Sequence, residues 1–229
     1  MSIAKDLAST QIPSEQEWDE DDDIVLPPSD LWSDEPPLET DLHRDQIDLL
    51  IRLLRWCWRN RQDFYVSGNL TIYYNPNKLK SKDFRGPDFF VVLDTDPKPR
   101  KSWTVWDEGG KYPNVIIELL SDSTAETDKG LKKQIYQDIF RTFDYFWFDP
   151  HNLEFAGFHL VDGKYQALQP NENGWLWSQQ LELFLGIYQQ QLRFFTPDGK
   201  LVPTPEEAAA EAEELLAKYR AKFGELGDS

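Results

Sequence analysis

The sequence predicts a mixed α/β core, and three observations carry that reading. Residues 39–60 have helical periodicity, 89–93 and 115–120 are short apolar runs of the kind found in buried central strands, and a second helical stretch at about 124–141 is followed by more strand material. A chain of 229 residues holds one sizeable core with tails. Its 40% hydrophobic and 14% aromatic content is enough to fill an interior. The expected divisions are an acidic, proline-rich lead-in at 1–37, the core at 38–203, and a C-terminal helix at 204–229.

From Glu39 to about Asn60, the residues Leu42, Ile47, Leu49, Leu50, Leu53, Leu54 and Trp58 recur at steps of three and four with charges between them, which predicts one face packed on a sheet. Phe64–Tyr74 is β-branched and aromatic and predicts one or two strands before the turn at Asn75-Pro76. Phe89–Leu93 and Val115–Leu120 are nearly continuous apolar segments bounded by Gly, Pro and Asn, as in strands buried on both faces. Between them, 94–112 fits either a long loop or a short added strand. Ser123 with Glu126 has the spacing of a capping box and opens the second helix. Tyr145–Phe148 predicts a strand, 154–160 and 165–168 a hairpin around Asp162-Gly163, and 186–195 further strand material. Thr204–Phe223 is rich in Ala, Glu and Leu and predicts an exposed helix, with self-association into a homodimer as one use for it.

Composition narrows the function classes. The lone Cys57 leaves no disulfide framework and no cysteine pair for zinc, which fits a reducing cytoplasm. The N-terminus lacks the order of a signal peptide, and no apolar run approaches the roughly 18 residues of a membrane span. The net charge of −17 argues against non-specific clinging to nucleic acid, although eight acids against Lys5 are concentrated in residues 1–23. No glycine-rich phosphate loop follows any predicted strand.

The sharpest anomaly is Glu118, a carboxylate inside an apolar strand, where a charge needs a partner or a metal. Asp88 opens the other buried strand directly after Gly86-Pro87. If the two strands pair, both side chains converge at one end of the sheet. Converging carboxylates raise each other's pKa unless a cation lies between them, and Mg²⁺ or Mn²⁺ held this way is the design of metal-assisted phosphodiester hydrolysis. Spacing alone leaves a second account open, in which Asp88 ends a turn and Glu118 pairs with a structural Arg or Lys. Asp128, Lys132 and Tyr136 fall at i, i+4 and i+8, on one helical face that begins soon after Glu118. From there Lys132 reaches back over the acids, or else forms a plain surface pair with Asp128. Trp175 and Trp177 fit core packing better than stacking on a nucleobase or sugar.

GPDFFVVLD at 86–94 and KYPNVIIELLSDSTAETDKGLKKQIYQDIFRTFDYFWFDP at 111–150 together resemble the Uma-two family (domain of unknown function 820) of restriction-endonuclease-like proteins, within the PD-(D/E)xK nuclease superfamily. The likeness spans roughly residues 39–195. It implies a restriction-endonuclease-like α/β core, with a four-stranded mixed sheet flanked by helices, and an Mg²⁺- or Mn²⁺-dependent endonuclease that hydrolyses DNA. Pro87-Asp88 matches the PD of the signature and Glu118 its second acid, so these two acids would hold the metal. Two positions after Glu118, where the superfamily carries its lysine, stands Leu120. The resemblance transfers that role to the next helix, to Lys132, with Lys133 as the alternative. An acid on the first helix often completes such sites; Glu39 matches it, with Asp41 and His43 as rivals. The alternative to an enzyme is a catalytically silent, nuclease-derived binding or assembly module.

Overall fold

The computed structural model describes residues 31, 33, 40–76, 84–121 and 125–223. Helix α1 (Asp41–Cys57) begins at the N-cap Thr40, whose side chain accepts the His43 N–H, and it buries His43, Gln46, Ile47, Leu50, Leu53 and Leu54. Each fully buried leucine here contributes about 1.5–3 kcal/mol before its ordering cost. The strands are β1 (Phe64–Ser67), β2 (Ile72–Tyr73), β3 (Phe84–Arg85), β4 (Phe89–Leu93), β5 (Trp103–Thr104), β6 (Val115–Leu119) and β7 (Asp144–Phe148), followed by β8 (Phe155–Val161), β9 (Lys164–Ala167), β10 (Leu176–Ser178), β11 (Leu183–Tyr188) and β12 (Gln191–Phe195).

The main sheet has six strands in the order β1-β4-β6-β7-β8-β9. Only β6 and β7 run parallel; the other neighbours are antiparallel, so the sheet is mixed. The expected four strands are β1, β4, β6 and β7. The hairpin β8–β9 extends them, turning at Asp162 and Gly163, both at positive φ as a two-residue hairpin turn requires.

Alternation along the strands divides the interior in two. Phe89, Val91, Val115, Ile117, Leu119, Phe146 and Phe148 face α1 and the small sheet β10-β11-β12. Phe90, Val92, Ile116 and Tyr145 face the second helical segment. Gln46 bonds both ways to the Leu192 backbone, at 3.0 and 3.1 Å, and so fastens α1 to β12.

Three stretches are more elaborate than the sequence implied. The undecided stretch 94–112 contains β5, which pairs in parallel with β2 in a third sheet, β3-β2-β5. Arg100 pins this region: its guanidinium bonds Glu108 at 2.9 Å and lies 4.7 and 4.8 Å from the ring centres of Tyr65 and Trp103. The strand β10 was not anticipated; its three residues are too few to register as a pattern. The second helical segment, α2, has turns at Ala125–Thr127, Asp128–Lys132, Lys133–Ile135 and Tyr136–Phe140, of which the second and fourth are π-helical. Ser123 of its capping box lies outside the described residues. Arg141, at φ 56°, closes α2, with the Thr142 N–H reaching back to the Tyr136 carbonyl at 3.0 Å.

The C-terminal helix α3 (Pro205–Phe223) is tied to the body through its first turn. There Glu207 bonds the buried Arg193 at 2.6 Å, and Glu206 pairs with Arg52 of α1. Residues 211–222 are exposed throughout.

Candidate active site

The register of β4 on β6 sets Phe89 opposite Ile117, so Asp88, one step earlier, comes beside Glu118. Both acids fall on the α2 side of the sheet. The Pro87 carbonyl accepts the Asn69 N–H at 3.0 Å, and Gly68 lies so close that an added Cβ would stand 2.3 Å from the Asp88 carbonyl oxygen. The Asp88 carboxylate accepts the Leu119 N–H at 2.7 Å. The Asp88 N–H lies 3.5 Å from Glu118 Oε2, at the outer limit of a bond.

Glu118 is 0% exposed. Its Oε1 accepts the Tyr136 hydroxyl at 2.6 Å, and its Oε2 lies 3.2 Å from Lys132 Nζ. The same ammonium is 2.7 Å from Asp128 Oδ1, and Asp128 is itself buried. The Asp128 carbonyl in turn accepts the Tyr145 hydroxyl at 2.8 Å, which fixes this turn of α2 to β7.

The π-helical turns explain why three residues four apart share one line. An α-helix has 3.6 residues per turn, so positions four apart drift around its axis. Interleaved π turns lengthen the average period and remove that drift.

Electrostatics follow from burial. Burial raises Glu118 to about 7, with the Asp88 charge adding to it and the Lys132 ammonium opposing it. Burial raises Asp88 to about 6 against Lys132 and the Leu119 N–H. Lys132 is also penalised by burial, but Glu118, Asp128 and Asp88 together outweigh that and hold it well above the usual lysine value. Tyr136 is kept a phenol by burial and by the neighbouring Glu118 charge. One ammonium thus serves three carboxylates, and the cluster has an excess of negative charge that a cation would relieve.

Other predicted residues separate clearly. Lys133 points away from the acids, its Nζ 3.3 Å from the centre of the Phe158 ring. Asp41 is exposed and paired with Arg44 at 2.8 Å. Glu39 lies outside the described residues. His43 is buried, with Nε2 3.2 Å from the Leu119 carbonyl and Nδ1 2.9 Å from Thr40 Oγ1. A carbonyl only accepts, so Nε2 carries the proton. His43 therefore holds the backbone of the same Leu119 whose N–H holds Asp88. Trp175 stacks on Phe195 at 3.8 Å and Trp177 meets Phe184 edge-on, so both pack within the small sheet. Tyr136 and Asp128 are site residues that the sequence showed only as neighbours of Lys132 on a shared face. Their four-residue spacing from it was the signal.

Among the described residues no three His, Cys, Asp or Glu side chains converge as a metal cluster. Two carboxylates are nonetheless a sufficient protein contribution for Mg²⁺, which keeps several waters and takes further oxygens from substrate phosphate. The all-oxygen donor set and the excess of negative charge fit such an ion.

A family model described as "Putative restriction endonuclease", Uma2, matches residues 24–193. The chain belongs to the Uma2 family. Membership in Uma2 supports a nuclease role, implies a nucleic-acid substrate, and places the chain in a family of the type that uses divalent metals. Among solved structures, the chain is similar to the crystal structure of a putative nuclease belonging to DUF820 from Anabaena variabilis. That likeness has 10% identity and a TM-score of 0.47, and covers 64% of this chain and 76% of the other. No curated protein matches the sequence. No helix among the described residues is long and apolar enough to cross a membrane.

Proposed function

We propose that this Uma2 protein is an Mg²⁺- or Mn²⁺-dependent endonuclease that hydrolyses phosphodiester bonds in DNA. The observation that carries the reading is the pair of inward-facing acids, Asp88 and Glu118, on adjacent strands, together with one ammonium that reaches Glu118 from the facing helix. Asp88 and Glu118 would hold the ion. When bound, it supplies Lewis acidity, lowering the pKa of an attacking water and neutralising the leaving oxygen.

The remaining roles belong to the protein's own groups. Tyr136 fixes one oxygen of Glu118, which orients the other toward Asp88 and Lys132. Asp128 stations the Lys132 ammonium, which then orients water or offsets charge building on the scissile phosphate. His43 and the Leu119 backbone hold Asp88 in register. Lys132 on the helix would take the role of a lysine two positions after Glu118, where Leu120 is instead fully buried. Glu39 is retained as the acid that completes the site.

The test incubates purified protein with supercoiled and single-stranded DNA, with and without Mg²⁺ or Mn²⁺. Metal-dependent cutting that disappears in Asp88→Asn, Glu118→Gln and Lys132→Ala supports the reading, and Glu39→Gln should lower it. Cutting that survives in the acid variants would show contamination.

A second reading, a silent nuclease-derived binding module, is favoured by the net charge of −17, which opposes approach to a polyanion. Calorimetric titration with Mn²⁺ separates the two, because a silent module has no need to retain metal affinity.

A further inference from the structure

Beyond its first turns, helix α3 is exposed among the described residues and carries large apolar side chains at its surface. Leu215 is 55% exposed, Leu216 45% and Tyr219 56%. Ala208, Ala212, Leu215 and Tyr219 follow one another at spacings of four, three and four, the heptad seam of a two-helix coiled coil. Ala209 and Leu216, seven apart, widen the seam on one side, and Glu211 and Lys218, also seven apart, flank it on the other.

The charges along the helix are segregated. Glu206, Glu207, Glu211, Glu213 and Glu214 occupy its first half, and Lys218, Arg220 and Lys222 the second. A parallel pairing of two such helices would set like charge beside like charge and alanine against alanine. An antiparallel pairing does the reverse. With Ala212 across from Leu215 of a second copy, Ala208 meets Tyr219, so every small residue faces a large one. In that same register the flanking positions bring Glu211 opposite Lys218, twice by symmetry, and Ala209 opposite Leu216. Packing and charge therefore select one orientation and one register independently of each other.

Within a single chain, Lys218 has a weak alternative partner. Lys218 pairs with Glu214 at 2.6 Å along the helix, with both side chains more than two-thirds exposed, an arrangement that contributes little. The first turn is held by Arg193 and Arg52, and from residue 211 to 222 the helix is exposed.

From this we infer that α3 is a homodimerisation element, pairing antiparallel with α3 of a second copy through Ala208, Ala212, Leu215 and Tyr219. The inference is independent of catalysis. A seam of about three turns gives a small interface, so the dimer dissociates on dilution.

The test is sedimentation velocity of the full chain over a wide concentration series. The expected result is a concentration-dependent monomer–dimer equilibrium that Leu215→Glu abolishes. Glu211→Lys alone and Lys218→Glu alone should each weaken the dimer about tenfold or more, and the double variant should restore it, since the swap re-forms opposite charges across the antiparallel seam. The three substituted positions, Glu211, Leu215 and Lys218, are exposed, and unchanged circular dichroism would show that the body still folds. A monomer at every concentration overturns the inference. So does a dimer indifferent to Leu215→Glu, and single charge reversals without effect would overturn the antiparallel register.

Discussion

Glu118 and Asp144 are both fully buried carboxylates on the parallel pair β6 and β7, yet their surroundings differ in kind. Asp144 opens β7 opposite Val115, and on the face toward the small sheet every neighbour that reaches it is a donor. His159 Nδ1 and the Ser178 hydroxyl each approach to 2.6 Å, and the Gln180 N–H to 2.9 Å. It joins β7, β8 and the β10–β11 connection, as a structural acid should. Glu118 sits near the other end of β6, on the opposite face, beside a second carboxylate and an ammonium shared with a third. A buried acid whose neighbours are all donors serves the fold; a buried acid set against other acids is kept for a ligand.

A set of substitutions and one titration sharpen or break this contrast. The largest effect belongs to Glu118→Gln, which keeps the shape and the Tyr136 contact while removing the charge. Cleavage should fall by at least about 10²–10³-fold and Mn²⁺ binding by calorimetry should be lost, while the thermal midpoint does not fall. Asp144→Ala should do the opposite. It leaves Ser178, His159 and the Gln180 N–H without their acceptor, so thermal or urea unfolding should show a loss of about 3 kcal/mol or more. At a temperature where the variant is folded, metal affinity should be unchanged. If Glu118→Gln destabilised the protein as much as Asp144→Ala, the two acids would be of one kind.

The titration comes next. Asp88 and Glu118 stand at about 6 and about 7 in the folded protein, above the 3.8 and 4.5 of the free groups. A folded-state pKa above the unfolded one contributes stability that is complete below the unfolded value and is lost as pH rises through the folded value. With divalent ions chelated, stability should therefore fall relative to an Asp88→Asn, Glu118→Gln double variant as pH rises from about 4 to about 7, by on the order of a few kcal/mol. Added Mn²⁺ should reverse the loss at the upper end, because the ion binds the ionised carboxylates. Thermal midpoints of both proteins across that range, with chelator and with Mn²⁺, measure it. Parallel profiles would contradict the raised pKa values.

How much of this was legible in the sequence depends on how local each signal is. The buried strands β4 and β6 and the two acids on them are written in continuous apolar runs that a single charge interrupts. Helix α1, the hairpin β8–β9 and the exposed α3 have their own periodicities. Lys132 was visible because α2 begins a few residues after Glu118. What escaped depends on contacts between distant segments. The π turns of α2 follow from packing against the sheet, and nothing in the spacing separates them from α-helix. Asp144 opens an aromatic strand much as Asp88 precedes β4, and only its contacts with His159, Ser178 and Gln180 show it to be structural. His43 reads as a helix-face histidine until β6 is brought alongside it.

Gly68 is the clearest case of a distant constraint, and it supplies the last and smallest test. In sequence it is a glycine within a run of strand formers. In the fold, a Cβ there would stand 2.3 Å from the Asp88 carbonyl oxygen and 2.5 Å from Ile47 Cγ2, so one contact is with the backbone that carries the first acid. Backbone cannot rotate aside as a side chain does, so Gly68→Ala must push β4 and the Asp88 carboxylate away from Glu118. Overpacking of this kind costs about 1–3 kcal/mol. Gly157→Ala is the matched control: its Cβ would meet the Phe146 ring at 2.4 Å, on β7 and away from the acids. Both variants should lower the unfolding midpoint by similar amounts, but only Gly68→Ala should also weaken Mn²⁺ binding by calorimetry. Equal metal affinity in the two would mean that Asp88 keeps its place without Gly68, and that the close approach serves packing alone.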